Sequence, residues 1–370
     1  MRVLHIYAGN LYGGIERLLA TFARERRLAT QMEPAFALCF PGRLADELTA
    51  AGTPATLMGG VRFSRPWTLW RARWRLARLL RRQKFDVAVT HAAWPHAAFA
   101  GTVRRCGVPL VFWAHDPLTG GADAFESRAA AVPPALVIAN SQFTAATCPN
   151  VFPKTRTEVV YLPVSPHEPV EPTAARAVRA ELNTPAQDVV FLQACRLERW
   201  KGHSVLIEAL GRLKHVPGWT AWVAGGAQKA GEAEYLAELS ARAAELGIAD
   251  RVRFLGQRSD VPRLLAAADV LCQPNSGPEP FGIAFVEALY AGRPVVTSDL
   301  GGGREVVDPS CGVLVPPGEP AAVAAALAEL ISDPARRAAL GAGGPKRAEA
   351  LCAPARQLDR VANLLQKVVL

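Results

Sequence analysis

The chain has 370 residues, half of them hydrophobic and a fifth charged, with a formal net charge of +9. This length suits two domains of moderate size, and the composition excludes a disordered chain. No apolar run approaches the roughly 18 uncharged residues needed to span a bilayer, and the N-terminus enters a strand-like segment directly. A cytoplasmic protein is therefore expected, at most peripheral on the inner face of a membrane.

In the first half, short β-branched or aromatic runs alternate with amphipathic segments rich in Ala, Leu and Arg. Strands are predicted near 2–7, 33–39, 85–90, 109–113, 135–139 and 157–162, and helices near 15–28, 67–83, 94–105 and 141–147. Strands alternating with helices imply a parallel sheet covered on both faces. Pro163, Pro166, Pro169 and Pro172 then mark a semi-rigid connector over 166–185, dividing a domain at 1–165 from one at 186–350. The alternation restarts at 189–192 and continues at 220–223, 252–255, 270–273, 294–297 and 313–315, and an Ala-rich helical ending starts at Pro320. A last helix over 351–370 is expected to return to the N-terminal domain. The whole reads as an α/β protein of two Rossmann-like, doubly wound parallel-sheet domains with an interdomain cleft, where such sheets take ligands at their carboxyl edges.

The seven cysteines, at 39, 106, 148, 195, 272, 311 and 352, are scattered without a Cys-x-x-Cys pair, which reads as reduced, mostly buried thiols. Neither a Gly-x-Gly-x-x-Gly fingerprint with a following acidic residue nor a P-loop is found, so a dinucleotide cofactor lacks support. A positive excess of this size favours anionic partners.

Two clusters carry chemistry. In the first, Glu279, Phe281 and Gly282 follow the strand at 270–273 and open a helix that contains Glu287. Backbone N–H groups at that helix start, with the positive end of the helix dipole, suit a phosphate or a polar sugar. The two carboxylates can accept hydrogen bonds from the hydroxyls of two rings, although each glutamate alone is equally readable as a helix-start charge or a solvated helix residue. In the second, Arg196 and Lys201 leave the strand at 189–194 just before Gly202 and a helix. A guanidinium and an ammonium together suit two adjacent phosphates; alone they read as surface cations.

Together the clusters resemble the donor-binding domain of retaining GT-B glycosyltransferases of family four, the glycosyl transferases group 1. Glu279 and Glu287 match the family's Glu-x7-Glu element, and Arg196, Lys201 and Gly202 its Arg…Lys-Gly element. The likeness extends through Val223-Ala224-Gly225-Gly226, Phe254-Leu255-Gly256 and Gly301-Gly302-Gly303-Arg304-Glu305, covering roughly 186–340. In the N-terminal half, Gly13-Gly14-Ile15-Glu16, Trp113-Ala114-His115-Asp116 and Asn140-Ser141 also resemble it. The sequence departs from the family at Pro274-Asn275-Ser276-Gly277-Pro278, one residue longer than usual before Glu279, and at Arg304, where proline is frequent.

The resemblance implies a transferase that moves a sugar from a nucleoside-diphosphate sugar to a sugar or lipid-linked acceptor, with retention, in glycolipid or cell-surface polysaccharide synthesis. It assigns Arg196 and Lys201 to the diphosphate, Glu287 to the ribose, and Glu279 with the backbone of Phe281 and Gly282 to the transferred sugar. Gly13 and Gly14 would lie close to the donor, and His115 beside the reacting sugar. No metal and no cofactor are expected. Two cationic and two acidic side chains would then converge on one nucleoside diphosphate across the gap between the domains. A GT-B epimerase, a sugar phosphorylase and a catalytically silent relative remain as alternatives.

The stretch 67–82 stands apart. At 100° per residue, Leu69, Ala72, Leu76, Leu79 and Leu80 share one face, leaving Trp67, Trp70 and Trp74 outward among Arg71, Arg78 and Arg81. Such a face suits an anionic membrane surface, or the tryptophans pack on loops and arginine stems. No recognised binding module accompanies the charge, so nucleic acid is not an expected partner.

Overall fold

A computed structural model describes residues 1–10, 12–121, 123–227 and 231–370. The chain divides into two compact units, Met1–Ser165 with Cys352–Leu370, and Pro166–Leu351. Among the described residues no helix is long and apolar enough to cross a membrane, and all seven cysteines are free.

The strands of the first unit are β1 (Arg2–Tyr7), β2 (Glu33–Leu38), β3 (Thr56–Leu57), β4 (Val87–His91), β5 (Leu110–Ala114), β6 (Leu136–Ala139) and β7 (Thr157–Val159). They form one parallel sheet in the order β3-β2-β1-β4-β5-β6-β7. The strands of the second unit are β8 (Val189–Ala194), β9 (Trp219–Ala224), β10 (Val252–Gly256), β11 (Val270–Gln273), β12 (Val295–Ser298) and β13 (Gly312–Val315). These too are parallel, in the order β10-β9-β8-β11-β12-β13. The central strands are buried on both faces, as β4, β5 and β9 are throughout, which explains their continuous Val/Ala/Trp runs.

Both sheets reverse direction next to their first strand, between β1 and β4 and between β8 and β11. In a doubly wound sheet these switch points leave a crevice at the strands' carboxyl ends, because the flanking connections depart to opposite faces. The architecture thus marks two ligand positions before any side chain is considered: the loops after β1 and β4, and the loops after β8 and β11.

The proline-rich stretch expected as a connector over 166–185 is not one throughout. Pro172 occupies the first turn of a helix, Pro172–Glu181, where its missing N–H costs nothing, and that helix belongs to the second unit. Arg179 fixes it there, donating to the carbonyl of Ala267 at 2.9 Å and pairing with Asp269 at 2.6 Å. The closing helix Pro354–Val369 belongs to the first unit, where Asp359 accepts from Gln31 at 2.8 Å.

Helix Pro66–Gln83 starts with proline in its first turn and buries Ala72, Leu76, Leu79 and Leu80. Leu69 is only partly covered. Trp67, Trp70 and Trp74 are 64%, 71% and 52% exposed, so they do not pack beneath loops. The helix carries six arginines and no acidic residue, which concentrates most of the chain's net charge of +9 on one element. Arg78 lies over the Trp74 ring at 5.5 Å.

Candidate active site

All four charged residues expected to converge across the gap between the domains belong to the second unit, three on the two loops that flank its switch point and Glu287 in the helix Ile283–Tyr290 that follows the second loop. Arg196 and Lys201 leave β8; Glu279 follows β11, and Glu287 lies one helix further. The two loops are joined backbone to backbone. Gly202 has φ +75°, and a Cβ there would sit 1.8 Å from the carbonyl oxygen of Pro274. Glycine is required at this position by both conformation and space.

The loop that is one residue longer than usual closes onto the same partner. Ser276 and Gly277 donate their N–H groups to the carbonyl of Trp200 at 2.9 and 3.2 Å. The extra length therefore clamps the cationic loop and leaves the glutamate in place. From the far side, Gly302 donates its N–H to the carbonyl of Glu279 at 2.6 Å. Arg304, where proline is frequent, pairs with Asp299 at 3.1 Å on the surface.

Lys201 and Glu279 form an ion pair at 2.6 Å, with side chains only 13% and 9% exposed. The same carboxylate oxygen accepts from the amides of Gln273 at 3.2 Å and Asn275 at 3.3 Å. Gln193 supports the other partner by donating to the Lys201 carbonyl at 2.8 Å, and the ammonium lies 4.0 Å from the Trp200 ring centroid. A charge removed from water is tolerable only when paired and hydrogen-bonded, and this pair meets both conditions. Arg196 pairs with Glu198 at 2.9 Å and is about a third exposed, so its guanidinium can turn to an incoming anion.

Glu287 is only 4% exposed, which removes the reading of it as a solvated helix residue. One of its partners is His167 at 3.3 Å, a half-exposed ring from the segment before helix Pro172–Glu181. Gly282 caps helix Ile283–Tyr290 with φ +99°, and the Phe281 side chain is buried in the core. Only the backbone at 281 and 282 is therefore available to a ligand. Cys195, between β8 and Arg196, is no nucleophile: burial pushes its thiol up to about 12.

In the first unit two of the three expected motifs meet. His115 follows β5, and its carbonyl accepts from the Asn140 amide at 2.9 Å. The ring stacks on Trp113 at 5.8 Å. Burial holds the imidazole at about 3, so it is neutral. The Gly13 N–H donates to Glu16 at 2.9 Å at the start of helix Gly14–Arg24. Gly13 is extended, and a Cβ there would meet nothing closer than 3.7 Å. Nothing described within this unit therefore demands glycine at 13.

His5, His91, His167 and Gln273 lie outside the motifs that drew attention in the sequence, and Asn275 drew it only as part of the longer loop before Glu279. Gln273 and Asn275 had a usable signal, two amides on alternate residues where a buried strand runs out. Ala92, directly after His91, has φ +70° and ψ 166°, a region occupied almost only by glycine and costing about 1–3 kcal/mol. Ala92→Gly is expected to stabilise the protein by about 1 kcal/mol in urea unfolding, after the entropic cost of glycine is subtracted; a loss of stability would show the turn to be unstrained.

Comparisons with known proteins bear on the family and the fold. A sequence model of the Glycosyl transferases group 1 matches residues 175–347 and one of Glycosyltransferase Family 4 matches residues 12–168. The chain belongs to this family, the glycosyl transferases of group 1, and has the GT-B fold. The D-inositol 3-phosphate glycosyltransferase of Xylanimonas cellulosilytica is 38% identical over 183 residues, covering 48% of this chain and 42% of that protein. The chain thus matches less than half the length of that curated relative. A GDP-mannose-dependent monoacylated alpha-(1-6)-phosphatidylinositol monomannoside mannosyltransferase from Corynebacterium glutamicum is 28% identical over 79% of each chain. The crystal structure of HepE from Anabaena with UDP and glucose superposes with a TM-score of 0.87 at 26% identity, covering 99% of this chain and all of that one.

Proposed function

We propose that this protein transfers a sugar, with retention, from a nucleoside-diphosphate sugar to an acceptor used in glycolipid or cell-surface polysaccharide synthesis. The observation that carries the reading is the buried Lys201–Glu279 pair at the switch point of the second sheet, with Arg196 on the same loop. On this reading the donor diphosphate replaces a carboxylate on each cation. Lys201 exchanges Glu279 for phosphate, and Arg196 exchanges Glu198. Glu279, still held by Gln273 and Asn275, then accepts from hydroxyls of the transferred sugar, and Glu287 exchanges His167 for the ribose.

Arg196 and Lys201 offset the charge that grows on the glycosidic phosphate as it leaves, the role a metal ion has in other transferases. The departing phosphate oxygen takes the acceptor's proton on the same face, so no enzymatic nucleophile is needed. Catalysis comes from positioning and from preorganised charge. Within the first unit, Gly13 and Gly14 follow β1 at its own switch point and His115 follows β5, and all three are read as contacts for substrate.

Uridine and guanosine donors are the first to offer, since HepE was crystallised with UDP-glucose and the Corynebacterium enzyme is GDP-mannose-dependent. Nucleotide release is followed with and without an acceptor and with a chelator, and the anomeric configuration of the product is read by NMR. Donor-dependent release that rises with acceptor, resists the chelator and yields a retained anomer supports the reading. Tight donor binding without turnover would make the protein a silent relative.

The acceptor is placed at an anionic lipid surface, supported by the outward Trp/Arg face of helix Pro66–Gln83. Trp74, Arg78, Arg81 and Arg82 line a hollow there of about 290 Å³. Each arginine near such a surface contributes about 1 kcal/mol, so Arg71→Gln with Arg78→Gln is expected to weaken binding to phosphatidylserine-containing vesicles about thirtyfold. Co-sedimentation measures this, and unchanged binding by the double variant would remove the helix from the interface.

A further inference from the structure

Three histidines on three adjacent strands form a continuous hydrogen-bonded chain inside the first unit. His5 Nδ1 and His91 Nε2 are 3.0 Å apart, and His91 Nδ1 and His115 Nε2 are 2.9 Å apart. His5 and His91 are fully buried and His115 nearly so. The three stand on β1, on β4 and just beyond β5, beside the switch point, with successive ring centroids 5.2 Å apart. The chain's far end, His5 Nε2, is buried without a hydrogen-bond partner, between Phe22 at 4.8 Å and Phe36 at 5.6 Å.

The proton count is restrictive. Burial lowers the pKa of His5 and His115 to about 3 and that of His91 well below its usual value, so all three rings are neutral. A neutral imidazole has one N–H and one bare nitrogen. His91 can therefore donate to one neighbour only while accepting from the other, which leaves two arrangements. In one, His115 Nε2–H donates to His91, His91 donates to His5, and the last proton sits on His5 Nε2 with no acceptor. In the other, His5 Nδ1–H donates to His91 Nε2, His91 Nδ1–H donates to His115 Nε2, and the last proton sits on His115 Nδ1. A buried N–H without an acceptor is the rarer defect in proteins, and a bare acceptor nitrogen is more easily tolerated. The second arrangement wins.

We propose that His5 and His91 are positioning residues that lock His115 with its proton on Nδ1, presenting an N–H donor at the carboxyl edge of the first sheet to a hydroxyl or carbonyl-type oxygen of the substrate. The use of that donor rests on the proposed sugar transfer; the lock itself does not. His96 shows the ordinary way to fix a ring, with a backbone carbonyl on Nε2 at 2.8 Å and Thr90 on Nδ1 at 2.7 Å. His115 has no such carbonyl on Nε2, only another histidine. The strained turn at Ala92 holds His91 at the point where the chain needs it.

The test is a long-range proton–nitrogen NMR correlation on the whole protein with ¹⁵N-labelled histidine at neutral pH, the His115 signals being assigned by their loss in His115→Asn. A pyrrole-type Nδ1 and a pyridine-type Nε2 on His115 are expected; the reverse pattern overturns the proposal. His91→Gln keeps an N–H that can reach His115 Nε2, and His91→Phe does not. The phenylalanine variant is expected to move His115 to the Nε2–H tautomer and to lower turnover about tenfold with nucleotide affinity unchanged, the worth of roughly one hydrogen bond. The glutamine variant is expected to restore both. Equal loss in the two variants with an unshifted tautomer would make the chain structural only. The wild-type spectrum requires neither a stable variant nor substrate, so it decides the lock even if no transfer activity is found.

Discussion

Lys201→Ala is expected to lower turnover by about 10²–10³-fold, because on the proposed reading it removes a preorganised charge from the point where the leaving phosphate becomes anionic. It is also expected to cost about 3 kcal/mol of stability, since Glu279 is left as a buried carboxylate with two amides but no counter-charge. Loss of activity alone would therefore be ambiguous. Adding Glu279→Gln to the alanine variant removes the orphaned charge and is expected to return most of the stability while leaving turnover low. Urea unfolding and nucleotide-release kinetics on the wild type, both single variants and the double variant separate the two effects. Recovery of turnover along with stability would make the pair a structural brace and end the case for Lys201 on the diphosphate.

Gly202→Ala is the smallest change with the largest expected structural effect. A methyl group would need to occupy space 1.8 Å from the Pro274 carbonyl oxygen, on a backbone at φ +75°. Strain and overpacking together are expected to cost about 2–5 kcal/mol. The relief available is a parting of the two loops, which moves Lys201 away from Glu279. Nucleotide affinity, followed by titration calorimetry, should fall with stability. A variant that binds nucleotide normally would show that the loops do not need their close contact to form the site.

The alternation of apolar runs and amphipathic segments gave twelve of the thirteen strands and the parallel architecture, because strands buried on both faces leave continuous apolar signals. The exception was β3, two residues at the sheet edge with no such signal. Helix Pro172–Glu181 was hidden because proline reads as a breaker, although in a first turn it is a helix starter. Of the candidate site, Arg196, Lys201, Glu279 and Glu287 were singled out by their likeness to the family's motifs, and the structure gathers Lys201 and Glu279 into one ion pair beside the switch point. Their supports were less legible. Gln273 and Asn275 showed only as two amides where a buried strand runs out, with no mark of which carboxylate they would hold, and Gln193 acts through a contact made by folding. His5 and His91 stand 86 positions apart, and only strand order makes them neighbours of His115.

The joint between Gly202 and Pro274 limits how this site can diversify. With the cationic loop and the acidic loop fastened main chain to main chain, neither can be lengthened or re-aimed without dragging the other, so on the proposed reading phosphate and hydroxyl recognition are inherited as one block. New preferences for base or sugar have to be written outside this block. A library built to retune donor choice should leave 196–202 and 274–282 untouched, together with Gly301 and Gly302, whose backbone lies against that of Glu279.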